Sequence, residues 1–337
     1  MVTEESVPKK IRVSLGSAIL LGLKEGTMDA KPTTIYLLTY HTSKCTANCS
    51  FCSQSRSSTS KSDLLSRVVW PAFSTKRVIE RMKDLEKGLI KRTCIQVMNY
   101  PNVFRDVLGL VRRIHIEVGI PTSISCQPLT SKRIRQLSDA GIDRVGIPLD
   151  ASTESLFEQV KGSIVGGPYL WERNIEALKT AVQTLGKGRV STHLIVGLGE
   201  KDEEIIRAIQ EMIDMYVYPA LFAFTPITGT VLESKTQPQI ERYRCIQIAH
   251  YLMTHDEARF EDMVFDEKGH IRSFSLNEDL LKETVKGGLP FMTSGCPGCN
   301  RPFYNERPQG PLYNYPRKLN IAEMDEIETS FWRYLNG

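Results

Sequence analysis

What most constrains this chain is the order in which its apolar patterns alternate. Runs rich in β-branched and aromatic residues, TIYLLTY, TCIQVMNY, TSISCQ, RVGIPLD, VSTHLIVG and ALFAFTP, read as strands. Between them lie the amphipathic stretches TKRVIERMKDLEKGLI, VFRDVLGLVRRIHIEVG, TSKRIRQLSDAG, NIEALKTAVQTLG, KDEEIIRAIQEMIDM and IERYRCIQIAHYLM. Gly119 and Gly141 stop two of these helices. KDEEIIRAIQEMIDM opens with acids, which favour a helix N-terminus, and puts Ile205, Ile209 and Met212 on one face. Further on, DMVFDEKGHIRSF supplies one or two short strands, NEDLLKETVKGG a helix and LPFMTSG a last strand.

Strand and helix in strict turn mean parallel strands joined by crossover helices. About eight such units fit a (β/α)8 barrel, closed or partly open. An open doubly wound sheet usually shows a glycine-rich turn after its first strand, and here that position carries cysteines. The expected class is therefore α/β, a (β/α)8 or partly open TIM-type barrel over residues 34–295. An N-terminal cap segment (1–33) precedes it, and a cysteine-bearing strap and tail (296–337) extends over the mouth. Loops leaving the C-terminal ends of barrel strands build the site. The cysteines after the first strand and the CPGC after the last are thus expected at the same mouth. Finding the two on opposite faces would sink the idea of an auxiliary cluster.

Composition narrows the class. Of 337 residues, 41% are hydrophobic and 24% charged, as in ordinary globular enzymes. A net charge of +4, dispersed along the chain, gives no ground for a nucleic-acid or membrane partner. The apolar run Ala18 to Leu23 is too short for a membrane span and lacks signal-peptide flanks, so the expected location is cytoplasmic. Eight closely spaced cysteines in such a chain point to metal or redox chemistry rather than disulfides.

Cys45, Cys49 and Cys52, in SKCTANCSFCSQ, offer three thiolates and leave one position of a tetrahedral site open. Soft thiolates suit zinc and iron–sulfur clusters alike. Cys296 and Cys299 form a CPGC knuckle. Its spacing occurs in metal-thiolate turns and in redox dithiols, but a redox dithiol begins a helix, and NRPFYN, which follows, is a poor one. Cys245 shares a helical face with Ile248 and Leu252 and reads as core. The six histidines lack metal spacing, and His41 and His193 are expected near the site for packing or hydrogen bonding. The Pro-, Tyr- and Asn-rich stretch CPGCNRPFYNERPQGPLYNYPRKL cannot be a long helix. It reads as an ordered strap whose Arg301 and Arg307 are solvated or meet acidic groups.

Cys45, Cys49 and Cys52, with Phe51 before the last of them, resemble the signature of the radical S-adenosylmethionine (SAM) enzymes. The resemblance implies a 4Fe–4S cluster on the three thiolates, its fourth iron held by the methionine part of SAM, and cleavage to a 5′-deoxyadenosyl radical. It also implies that Asp150 bonds the cofactor ribose. Gly197 and Gly199 in LIVGLGE would bring the backbone close to adenine, although a plain strand-to-helix turn reads the same. TCIQVMNY, TSISCQPLTSKRIRQLSDAGIDRVGIPLD, VSTHLIVGLGE and ITGTVLES are similar to segments of biotin synthase, in which three interior cysteines and an arginine hold a second cluster that donates sulfur. Cys94 and Cys126 match two of those positions, Ser191 stands at the third, and Arg272 is a loose counterpart of the arginine. With the knuckle, the resemblance implies an auxiliary 4Fe–4S cluster on Cys94, Cys126, Cys296 and Cys299. The combination resembles one member of the two-protein lipoyl synthases of archaea and bacteria. Its implied partners are an octanoylated lipoyl-carrier protein, a second radical SAM protein and a low-potential donor such as ferredoxin. Three other readings stay open: a biotin synthase-like sulfurtransferase on a small molecule, a single-cluster mutase or methylation-type enzyme, and a zinc-binding scaffold.

Overall fold

The computed structural model describes residues 7–86 and 88–336. Its elements run β1 (Lys10–Val13), α1 (Leu15–Leu20), β2 (Thr34–Thr39), the hairpin β3 (Leu64–Leu65) and β4 (Val68–Val69), β5 (Ala72–Ser74) and α2 (Thr75–Lys83). Then come β6 (Arg92–Gln96), α3 (Val103–Glu117), β7 (Thr122–Ser125), α4 (Ser131–Asp139), β8 (Ile142–Gly146), α5 (Glu154–Val160) and α6 (Trp171–Leu185). β9 (Val190–Val196), α7 (Asp202–Asp214), β10 (Tyr218–Ala223), α8 (Ile240–Thr254), the hairpin β11 (Met263–Phe265) and β12 (Ile271–Phe274), α9 (Glu278–Gly287) and α10 (Ile321–Asn336) complete the chain.

One eight-stranded sheet has the order β10-β9-β8-β7-β6-β2-β1-β5. β2 and β6 to β10 are mutually parallel, while β1 pairs antiparallel with β2 and β5 antiparallel with β1. β10 and β5 are the two ends of this order, so the barrel is partly open and built on six parallel units. The count of eight is corrected at the C-terminal end. β11 and β12 pair only with each other, and LPFMTSG forms a short turn over Leu289–Phe291 with a single bridge from Met292 to Tyr315. Pro290 lacks the N–H that a central strand must donate there. Residues 1–6 of the expected N-terminal cap lie outside the described residues.

Side-chain oxygens cap several helices: Thr130 accepts from Arg133 N–H, Thr153 from Leu156 N–H and Asn277 from Asp279 N–H. The strands alternate in period two between an outer face packed on helices and an inner face that looks into the barrel. On β6, Thr93 and Ile95 are fully buried outward, and Cys94 and Gln96 share the inner face, where the Gln96 amide donates to Cys94 Sγ at 3.2 Å.

The C-terminal segment does not lie over the mouth as expected. It rises along the open side, from the base of the barrel to its top. Leu221 N–H donates to Ser294 Oγ at 2.8 Å, and the Arg301 guanidinium donates to Leu221 O at 3.0 Å. Thr225 Oγ1 donates to Asn305 O at 2.9 Å. Across the gap, Arg301 N–H donates to Tyr36 Oη at 2.8 Å and Ser66 Oγ to Tyr304 O at 3.0 Å. The physical reason is the edge of β10, whose backbone groups need partners once the sheet fails to close. Arg244 holds the far side by donating to the Leu312 and Tyr313 carbonyls, and the Glu306 carboxylate accepts from Asn305 N–H and Asn314 N–H. Among the described residues no helix is long and apolar enough to cross a membrane.

Candidate active site

The loop after β2 is fixed by its own backbone. Cys45 N–H donates to Gln54 O at 3.0 Å, Cys52 N–H to Cys49 O at 3.1 Å, and Asn99 N–H to Cys45 Sγ at 3.2 Å. The Ser/Thr-rich stretch behind it crosses the top of the barrel, where Thr59 N–H reaches Gly229 O at 2.9 Å. Desolvation pushes the Cys52 thiol up to about 12 and Cys49 further, against the pull of Lys161 on Cys49. Cys45 and Cys52 stand close enough to Cys49 to add to the rise of its thiol, and Cys45 does the same to Cys52. Desolvation also raises the Tyr169 hydroxyl, and all three thiols add to that rise, which places Tyr169 beside them.

Asp150 sits at φ +68° at the end of the segment after β8, bridged to Leu194. Its carboxylate accepts from Lys161 Nζ at 2.7 Å, and Lys161 also donates to Pro148 O. Phe51, Cys52, Asp150, His193, Phe222 and Tyr304 line one cavity. His193 is pushed down to about 4, by burial first, so it is neutral at pH 7. Gly197 has φ +104°, and a Cβ there would stand 2.8 Å from Pro238 Cδ. The N–H groups of Gly197 and Gly199 both donate to the Glu200 carboxylate, at 2.7 and 3.0 Å. The glycines therefore serve a tight turn, and their amides are already committed.

A second thiol set lies at the opposite, N-terminal end of the same interior. The Arg92 guanidinium, at the start of β6, donates to Pro297 O at 3.1 Å, and Thr33 N–H donates to the Asn300 side chain at 2.9 Å. These bonds seat the knuckle in the base. Cys94 feels both Cys296 and Cys299, Cys296 Sγ is 3.6 Å from Ser123 Oγ, and Cys299 Sγ is 3.1 Å from Tyr36 Oη. The Arg301 guanidinium stacks over Phe222 at 3.8 Å. Desolvation lifts the Tyr304 hydroxyl, with Cys52 and Asp150 on one side and Cys94 on the other adding to the rise, so this ring stands between the two sets.

Several expectations are corrected. The knuckle is at the base and not at the mouth with Cys45, an outcome that by the sequence criterion counts against an auxiliary cluster. The two sets nonetheless share an interior, since both face into one barrel. Cys126 is not with the others. Ser123 turns inward to Cys296, so by strand parity Cys126 turns outward, lining a separate cavity with Val97, Phe104 and Leu137. Arg272 lies on β12, exposed and paired with Asp266 at 3.0 Å, away from the thiols. Arg301, read as solvated or partner-facing, lies inside the barrel with its guanidinium over Phe222. Ser191 lies on the His193 face of β9, in register with Tyr218. His41 stacks on Tyr100, with ring centres 4.7 Å apart, and Cys245 is fully buried. Tyr36, Ser123, Tyr304 and Lys161 were not singled out from the sequence. Only the inward parity of Tyr36 and Ser123 with Cys94, across paired strands, could have shown the first two.

Both sets fit thiolate-bound clusters. The donors are soft and partly enclosed, and Cys49, Cys52, Cys94 and Cys296 are raised by a desolvation that a bound cation would offset. Among the described residues no group of three or more His, Cys, Asp or Glu side chains stands where it could hold a single metal ion.

Comparison with known proteins agrees with the upper set. The family model of the Radical SAM superfamily matches residues 39–212, a range that includes Cys45, Cys49 and Cys52 and ends before the knuckle. The biotin synthase of Picosynechococcus sp. is 26% identical over 230 residues, covering 64% of this chain and 58% of the relative. That of Prochlorococcus marinus is 28% identical over 231 residues, covering 66% and 65%. The chain thus spans less than two thirds of the length of these relatives. Among solved structures, methylornithine synthase superposes with a TM-score of 0.52 at 16% identity, covering 66% of this chain and 62% of that one, a likeness of fold alone.

Proposed function

Because the chain belongs to the radical SAM superfamily, we propose that it inserts sulfur into the octanoyl chain of a lipoyl-carrier protein, as one member of a two-protein lipoyl synthase. The observation that carries this reading is the lower thiol set, Cys94, Cys296 and Cys299, looking up the barrel toward Cys52 and Asp150 with Tyr304 between them. When bound, a cluster on Cys45, Cys49 and Cys52 with SAM supplies hydrogen abstraction, and an auxiliary cluster on the lower set supplies sulfide.

The chain's own residues do the placing. Asp150, with one oxygen held by Lys161, keeps the other for a ribose hydroxyl. Phe222, Tyr304 and neutral His193 wall the interior and exclude water from a reacting carbon. Arg301 sets a positive charge near the lower thiols. The partners on this reading are the octanoylated carrier, a second radical SAM protein and a low-potential donor such as ferredoxin, in the cytoplasm.

A second reading, a biotin synthase-like reaction on a free small molecule, is favoured by the identity of the curated relatives. Anaerobic turnover separates the two. The protein, together with a second radical SAM protein, is incubated with SAM, reductant, an octanoylated carrier and a free acyl acid, and both acyl products are weighed. Sulfur gained by the carrier alone is expected. Sulfur gained by the free acid alone favours the second reading, and sulfur on neither removes both.

A further inference from the structure

The segment that closes the seam leaves a space against the N-terminal elements. Between α1, the loop before β2, the β3–β4 hairpin and residues 301–308 lies a cavity of about 360 Å³, within the size range of small-ligand sites. Leu15, Ile19, Met28, Val69, Trp70 and Phe303 give it mainly apolar walls. Leu15 and Val69, partly exposed, stand where the cavity meets solvent. The inner end is made by Tyr36, Arg301 and Tyr304. Tyr36 touches Cys299, and Tyr304 also lines the cavity of Cys52 and Asp150. The cavity therefore ends between the two thiol sets. Arg67 and Arg307 also line it, close enough to repel each other, and the Glu306 carboxylate in the same lining offsets part of that repulsion at Arg67, while Asp29 stands elsewhere in the wall. The top of the barrel offers a poorer route, because the loop through Thr59 is bonded across it to Gly229.

We infer that this lateral cavity admits a medium-length acyl chain, apolar end first, with its inner methylenes beside Tyr36 and Tyr304 while Arg67 and Arg307 face an acidic surface of the carrier domain. The identity of the chain rests on the sulfur-insertion reading, and the route rests on the cavity. An uncharged hydrocarbon gains by leaving water along such walls, and the two arginines favour an anionic carrier and orient it.

The test is photolabelling of the full, cluster-loaded protein under anaerobic conditions. The probe is a peptide with acidic flanks whose octanoyl-lysine carries a diazirine at the chain's far end. Label is expected on Tyr36 or on residues 301–304 at the inner end, and an excess of plain octanoyl peptide should suppress it. Label confined elsewhere, or label that the competitor does not suppress, overturns the route. The double variant Arg67→Glu/Arg307→Glu should weaken binding of the acidic peptide about tenfold and leave a neutral-flanked peptide unaffected. Equal weakening of both peptides, or of neither, overturns the carrier-facing role. Label in this cavity without sulfur gained by the carrier keeps the route and removes the sulfur reading. Sulfur gained with label elsewhere does the reverse.

Discussion

Asp150 and Lys161 show at the residue scale how the site is held before anything binds. Their side chains are 11% and 6% exposed and 2.7 Å apart, in a wall where neither charge can reach bulk water. Breaking one side of such a pair strands the other charge, which typically costs about 3–5 kcal/mol. Lys161→Met is therefore expected to lower the urea midpoint markedly. Adding Asp150→Asn should recover part of the loss, because no lone charge then remains. A single variant as stable as the parent would show that Asp150 is already solvated. Asp150 was legible in the sequence through the RVGIPLD pattern that it ends. Lys161 was not, because it arrives from α5, a short helix whose only apolar face reads like loop. Cys126 shows the reverse error. A resemblance spanning a strand carries the residue type but not its parity, and one step along the strand moves a thiol from the interior to the helix layer.

At the scale of elements, alternation was a reliable guide for the six parallel units, because each buries a helix stripe against a strand face. It failed where the hydrogen bonds close locally. β11 and β12 read as strands and are strands, yet they satisfy each other and leave the sheet. Helix α10 went unread behind the Pro-rich stretch, although IAEMDEIETSFWRYLN carries an apolar residue every three or four positions. It matters because α8 is buried nearly all round, and α10 packs on it and on β12. Phe331 is fully buried, with its ring 6.4 Å from that of Phe274. Phe331→Ala is expected to cost about 3–5 kcal/mol. Chemical unfolding would read this as a lower midpoint with an unchanged slope. A loss below about 1 kcal/mol would mean that α10 is not part of the cooperative unit.

At the scale of the whole molecule, the sheet stops short of closure and the C-terminal segment becomes the missing wall. The same segment carries Cys296, Cys299, Arg301 and Tyr304 inward, and so builds much of the interior chemistry. No local pattern in the sequence announces this, because the partners of the segment are an edge strand and a knuckle seat more than 60 residues away in the chain. The central claim is that two thiol sets at the two ends of one interior do different work. It is tested most directly by iron counting with product analysis on anaerobically reconstituted protein. Alanine at Cys45, Cys49 or Cys52 should abolish 5′-deoxyadenosine. Cys296→Ala with Cys299→Ala should lose about half of the iron, keep 5′-deoxyadenosine formation and add no sulfur to the octanoylated carrier. A double variant that retains all its iron and still thiolates the carrier would contradict the account.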